Sequence, residues 1–106
     1  MSSITSKYLD DKGLTIKIVG KFDFSQHQQF RNAYESVDAK IKSFIIDLSE
    51  ASYMDSSAFG MLLVLRERYG GANADITLSG FNHSIGLILE VAKFGRLFKL
   101  KEARKN

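Results

Sequence analysis

The sequence predicts an α/β fold: a mixed sheet of four to five strands, opened by a β-hairpin, with about three to four helices packed mainly on one face. Three observations carry this. Ile4 to Leu9 and Leu14 to Val19 alternate apolar and polar residues around the turn Asp10-Asp11-Lys12-Gly13. Two short apolar runs follow, at Phe44 to Leu48 and Ile76 to Leu78. Between and after those runs, apolar residues recur at helical spacing, and strands alternating with helices after a hairpin make a mixed sandwich.

The hairpin supplies the first two strands. Ser25, following Asp23, is a candidate cap for a helix over about Ser25 to Asp38, in which Phe30, Ala33, Tyr34 and Val37 form the apolar stripe and Gln26, Gln29 and Arg31 the polar face. Phe44-Ile45-Ile46-Asp47-Leu48 is a continuous run of the kind found in a central strand covered on both faces. Ala58 to Tyr69 reads as a strong helix ended by Gly70-Gly71, where a left-handed residue is easily accommodated. Ile76 to Leu78 is another strand. Asn82 or Ser84 caps a third helix built on Ile85, Ile88, Leu89 and Ala92, and Leu97-Phe98-Lys99-Leu100 closes as a short extended segment. With no proline anywhere, the turns rest on Gly, Asp, Asn and Ser.

At 106 residues, with 44% hydrophobic and 25% charged content, a single domain over 1–106 is expected, with a flexible basic tail over about 101–106. The formal charge is +3, and six of the basic residues lie between Lys93 and Lys105. Such residues trailing off a terminus suit a solvated end better than a nucleic acid surface, which needs basic and aromatic residues interleaved on one element. The absence of cysteine excludes disulfides, thiolate catalysis and Cys-based metal sites. No signal-peptide pattern and no apolar run of about 18 residues is present, so a cytoplasmic protein with no membrane association is expected. His27 and His83 are far apart and in no metal-ligand spacing, and Gly70-Gly71-Ala72-Asn73 lacks the Lys and Ser or Thr of a phosphate-binding loop. Asp23 and Asp55 are a conceivable carboxylate pair, but no apolar surroundings that would tune them for acid–base work are legible. No enzyme, cofactor or metal is expected.

The densest feature runs from Asp47 to Gly60, where a buried strand leads directly into Asp55-Ser56-Ser57 and a helix. Ser56 or Ser57 would cap that helix, with the backbone N–H groups of its first turn pointing at whatever sits on the hydroxyl. A phosphoryl group there would meet the favourable end of the helix dipole. By itself the triplet also reads as a plain helix cap. At 100° per residue, Phe59, Leu62 and Leu63 turn to one side of the helix, while Ser57, Gly60, Met61 and Val64 turn to another that should be exposed. Met61 and Val64 fit either surplus core or a docking face beside the serine.

This segment resembles the signature of the STAS family of anti-sigma factor antagonists, in which a strand ending in Asp-Leu leads through an aromatic or apolar pair into Asp-Ser-Ser or Asp-Ser-Thr, Gly, Leu, Gly. Gly20-Lys21-Phe22-Asp23 is similar to the family's Gly-Glu-apolar-Asp segment, and Leu97-Phe98-Lys99-Leu100 to its closing Leu-Phe motif, so the likeness covers nearly the whole chain. It implies a STAS-like fold and Ser56 as the acceptor of a phosphoryl group from a serine kinase. Asp23, Asp55 and Ser57 would flank the site, and Lys21, Phe24, Gly60, Met61 and Val64 would bind the partner. It further implies an anti-sigma factor or serine kinase as partner, held in the unphosphorylated form, a serine phosphatase that resets the switch, and a monomer or weak dimer. A regulatory or scaffold module controlling a biofilm or polysaccharide-related enzyme without a sigma factor would use the same residues. Ala58 stands where the family often has Gly, and Lys21 replaces a common Glu; these bear on partner choice, not on the acceptor.

Overall fold

Five strands lie side by side in chain order in the computed structural model, which describes residues 2–35 and 37–103. β1 (Ser3–Tyr8) and β2 (Gly13–Phe22) form the antiparallel hairpin. β3 (Ser43–Met54), β4 (Asp75–Ser79) and β5 (Lys99–Lys101) then add in parallel. α1 (His27–Glu35), α2 (Ser56–Arg68) and α3 (His83–Val91) are the crossover helices. Single 3₁₀ turns lie at Phe24–Gln26, Gly71–Asn73 and Phe94–Arg96.

Register explains where the core sits. Leu14, Phe44 and Ile76 are aligned across three strands, as are Ile16, Ile46 and Leu78, and all six are buried. Because side chains alternate in a strand, these rows share one face. They form one cluster with Phe30 and Tyr34 of α1, Leu62 and Leu65 of α2, and Ile85 and Leu89 of α3. The intervening positions Thr15, Lys17, Ile45, Asp47 and Thr77 are only half-buried, so the sheet carries helices on one side alone. Lys17 and Glu50 form an ion pair. The expectation that Phe44–Leu48 is covered on both faces is therefore corrected: its apolar run buries Phe44, Ile46 and Leu48 but not Ile45.

The ends of the elements also differ from the sequence reading. The first helix does not reach Asp38, whose Oδ1 accepts the Lys40 N–H at 2.9 Å in a local turn that competes with helix. It begins as a 3₁₀ turn, and Gln26, expected on its polar face, is buried, with neither amide atom hydrogen-bonded among the described residues. The third helix is capped by Asn82, whose side chain accepts the Ile85 N–H at 2.9 Å, and Ile88 is exposed rather than core. Only Lys99–Lys101 of the closing segment is strand, since Leu97 ends a 3₁₀ turn. Gly70 and Gly71 do take left-handed angles, φ 119° and 58°, after α2. The basic tail expected over 101–106 starts within the sheet at Lys101, and the Ala103 N–H donates to the Phe81 carbonyl at 3.1 Å; 104–106 lie outside the described residues.

Candidate functional site: the strand ends at Asp23 and Asp55

Phe22 and Met54, the last residues of two adjacent parallel strands, are register partners, so the residues that follow them, Asp23 and Asp55, leave the sheet side by side. Both do so in the same way. Asp55 has extended angles (φ −134°, ψ −173°), and its Oδ1 accepts from the Ser57 N–H at 3.0 Å, the Ser57 hydroxyl at 2.5 Å and the Ala58 N–H at 3.3 Å. Asp23 is extended as well (φ −141°, ψ −172°), and its Oδ1 accepts from the Ser25 N–H at 3.0 Å and the Ser25 hydroxyl at 2.5 Å. An Asp-x-Ser cap thus closes each of two neighbouring strand–helix junctions.

This corrects the capping assignment. Asp55, not Ser56 or Ser57, is the N-cap of α2, and Asp23, not Ser25, caps the 3₁₀ turn that leads into α1. The carboxylate reaches two first-turn N–H groups at once, and an anion at that position also meets the dipole. The Ser57 hydroxyl, followed by the Ala58 and Ser57 N–H groups, holds the Asp55 carboxyl below the ordinary aspartate range, while partial burial works against them. Asp55 is therefore an anion already seated on the helix start. The N–H groups expected to receive a phosphoryl group are in part occupied by it.

Ser56 is the first helical residue, exposed, and its hydroxyl makes no hydrogen bond among the described residues. Lys21 and Tyr53, paired one position earlier in the register, are both exposed, so a cation and an aromatic ring stand beside the acidic junction. Phe24 is 68% exposed and stacks on His27 with ring centroids 5.1 Å apart.

Of the helix face expected to be exposed, Gly60 and Val64 are, and a Cβ added at Gly60 would meet nothing within 4 Å. Met61 is not: at 6% exposure it belongs to the core, because α1 lies against that side of α2. Leu63, assigned inward, is 37% exposed. The 100° rule fails here because α2 is apolar nearly all round, so the neighbouring helix decides which residues are covered.

Between α1 and α2 a groove of about 480 Å³ starts beside the site, with Phe24, His27 and Ser57 at one end, Phe30 and Met61 along it and Arg68 at the other. Sequence reasoning missed it, and His27, Arg31, Tyr34 and Arg68 with it, since those residues meet only through helix packing. The Asp-x-Ser repeat was legible as a spacing.

A model of the STAS domain matches residues 5–106, nearly the whole chain. The chain belongs to the STAS domain family. A STAS-domain containing protein of Pseudomonas aeruginosa (strain UCBPP-PA14) is 47% identical over 91 residues, covering 86% of this chain and 90% of that protein. Solved STAS-type structures share the fold. The anti-sigma factor antagonist SpoIIAA in its unphosphorylated form superposes with TM-score 0.70 at 17% identity, over 91% of this chain and 86% of that one. The phosphorylated form of the Bacillus cell fate determinant SpoIIAA gives 0.71 at 15% identity, over 92% and 90%. An anti-sigma factor antagonist from Mycobacterium paratuberculosis gives 0.75 at 20% identity, over 93% and 86%. In this STAS domain no helix among the described residues is long and apolar enough to cross a membrane.

Proposed function

We propose that this STAS domain is a phosphorylation-controlled binding switch: unphosphorylated, it sequesters an anti-sigma factor or serine kinase partner, and a phosphoryl group on Ser56 releases that partner. The observation that carries the proposal is the division of labour between adjacent hydroxyls. Ser57 is tied to Asp55, whereas Ser56 is exposed and unengaged, so a kinase meets Ser56. The phosphoryl group brings about −1.5 to −2 charges at neutral pH. It arrives beside an aspartate held in its anionic form and next to Asp23 on the adjoining strand end. The fold keeps its caps, because neither Asp55 nor Asp23 uses the Ser56 hydroxyl. A partner surface matched to a neutral hydroxyl would instead face an added, partly desolvated anion, and like charge across an interface costs several kcal/mol. A serine phosphatase resets the switch. That SpoIIAA is known in both unphosphorylated and phosphorylated forms supports this reading.

The test is affinity capture from the protein's own cells with the wild type, Ser56→Ala and Ser56→Asp. Ser56→Ala should retain an anti-sigma factor or serine kinase. Ser56→Asp should lose at least 90% of it while keeping a folded circular dichroism spectrum. Equal capture by the Asp variant would show that charge at Ser56 is not the switch. Capture of a biofilm or polysaccharide enzyme with no anti-sigma factor would move the output away from transcription.

A further inference from the structure

We propose that the groove between α1 and α2 is the seat of a short acidic amphipathic helix of the partner protein. The inference rests on the binding-switch reading of Ser56 and gives the partner's docking segment a chemistry. Four observations support it. The floor is apolar, with Phe30, Tyr34 and Met61 buried beneath it. The rim is apolar and uncovered, with Phe24 68% and Val64 59% exposed. From Ser57 to Arg68 the groove follows twelve residues of α2, eleven rises of 1.5 Å or about 16 Å, which matches three turns of a docked helix with apolar anchors at i, i+4 and i+7. Two arginines serve it: Arg31, held from one side by Glu35 at 2.7 Å, and Arg68, exposed and in no ion pair among the described residues.

Charge selects the occupant. The charged side chains that line the groove, Arg31 and Arg68, are both cationic, so carboxylates flanking the docked helix's anchors complement them. The groove starts at Ser57, one residue from the acceptor, so a phosphoryl group would repel an acidic segment lying there. At the far end the Tyr69 hydroxyl donates to the Tyr34 carbonyl at 2.9 Å and ties the end of α2 to α1.

The experiment titrates the isotope-labelled full chain with a synthetic helical peptide of about three turns, with Leu anchors and Glu flanks, and follows amide shifts by NMR. A second peptide has Lys for Glu, and decanoate serves as a small anionic amphiphile. Saturable shifts at Phe30, Gly60 and Val64 with the acidic peptide are expected, with at least tenfold weaker binding of the Lys peptide. Arg68→Glu and Gly60→Phe should each weaken the acidic peptide at least tenfold. The second projects a ring over the groove from an exposed position where an added Cβ meets nothing within 4 Å, and an unchanged circular dichroism spectrum checks that it keeps the fold. Shifts centred on α3 or on the open sheet face, or equal binding of both peptides, would overturn the inference. Decanoate filling the groove while the acidic peptide does not would do so too, making it a small-molecule site. Tight peptide binding together with undiminished capture of the native partner by Ser56→Asp would leave the groove standing and sink the switch. Loss of the native partner in Ser56→Asp with no peptide in the groove would sink the groove alone.

Discussion

Ser57 works through Asp55. Its hydroxyl is the main reason that the Asp55 carboxyl titrates below the ordinary aspartate range, so replacing it should let that value rise. A carboxyl depressed in the folded state contributes stability that is fully present above the unfolded value, near 3.8, and is lost as pH falls through the folded one. Ser57→Ala should therefore be less stable than the wild type at neutral pH. The gap should narrow in denaturant titrations as pH falls from the unfolded value, near 3.8, through the lower folded one; a gap that stays constant over that range would mean that Ser57 acts by packing. Gln26→Met should raise stability by about 1 kcal/mol in urea unfolding, because it replaces a buried amide that has no hydrogen-bond partner among the described residues by a side chain of similar length. At this scale the sequence was only partly legible. The Asp and Ser residues of both junctions could be read from spacing, but either type caps helices well, and only the extended backbone at Asp23 and Asp55 decides which does so.

The second helix carries both the site and one wall of the groove, and Gly60 is its weakest helix former. With open space around it, Gly60→Ala should stabilise the fold by about 0.5–1 kcal/mol, seen as a higher urea midpoint with an unchanged slope. Leu62→Ala, removing a side chain that is fully buried against the sheet, should cost about 2–5 kcal/mol in the same measurement. The existence of this helix could be read from its length and from the glycines behind it. Its inward face could not, since Phe59, Met61, Leu62, Leu63, Val64 and Leu65 leave no polar side to mark solvent. Met61 is buried because α1 covers it, a fact of packing that no local period contains. Phe44–Leu48 misled for a related reason: a continuous apolar run fits a strand covered on both faces, whereas here Ile45 faces the side of the sheet that no helix covers.

Over the whole molecule, parallel register is what assembles the site. Asp23 and Asp55 are 32 positions apart, and they become neighbours because Phe22 and Met54 end adjacent strands together. The order of strands and helices was legible from alternation, turn residues and helical spacing. The groove was not, because its two walls belong to separate crossovers. One small surface thus combines an unengaged serine, a seated anion, an exposed aromatic edge and an apolar groove ended by an arginine. The central claim is that charge on Ser56 governs what binds there, and its first requirement is that Ser56 carries the charge. Site-resolved mass spectrometry of the chain isolated from its own cells, beside Ser56→Ala, tests this most directly. One phosphoryl group on Ser56, absent from the variant, with Ser57 unmodified, is the expected result. A phosphoryl group that persists in Ser56→Ala, or that maps to Ser57, would contradict it.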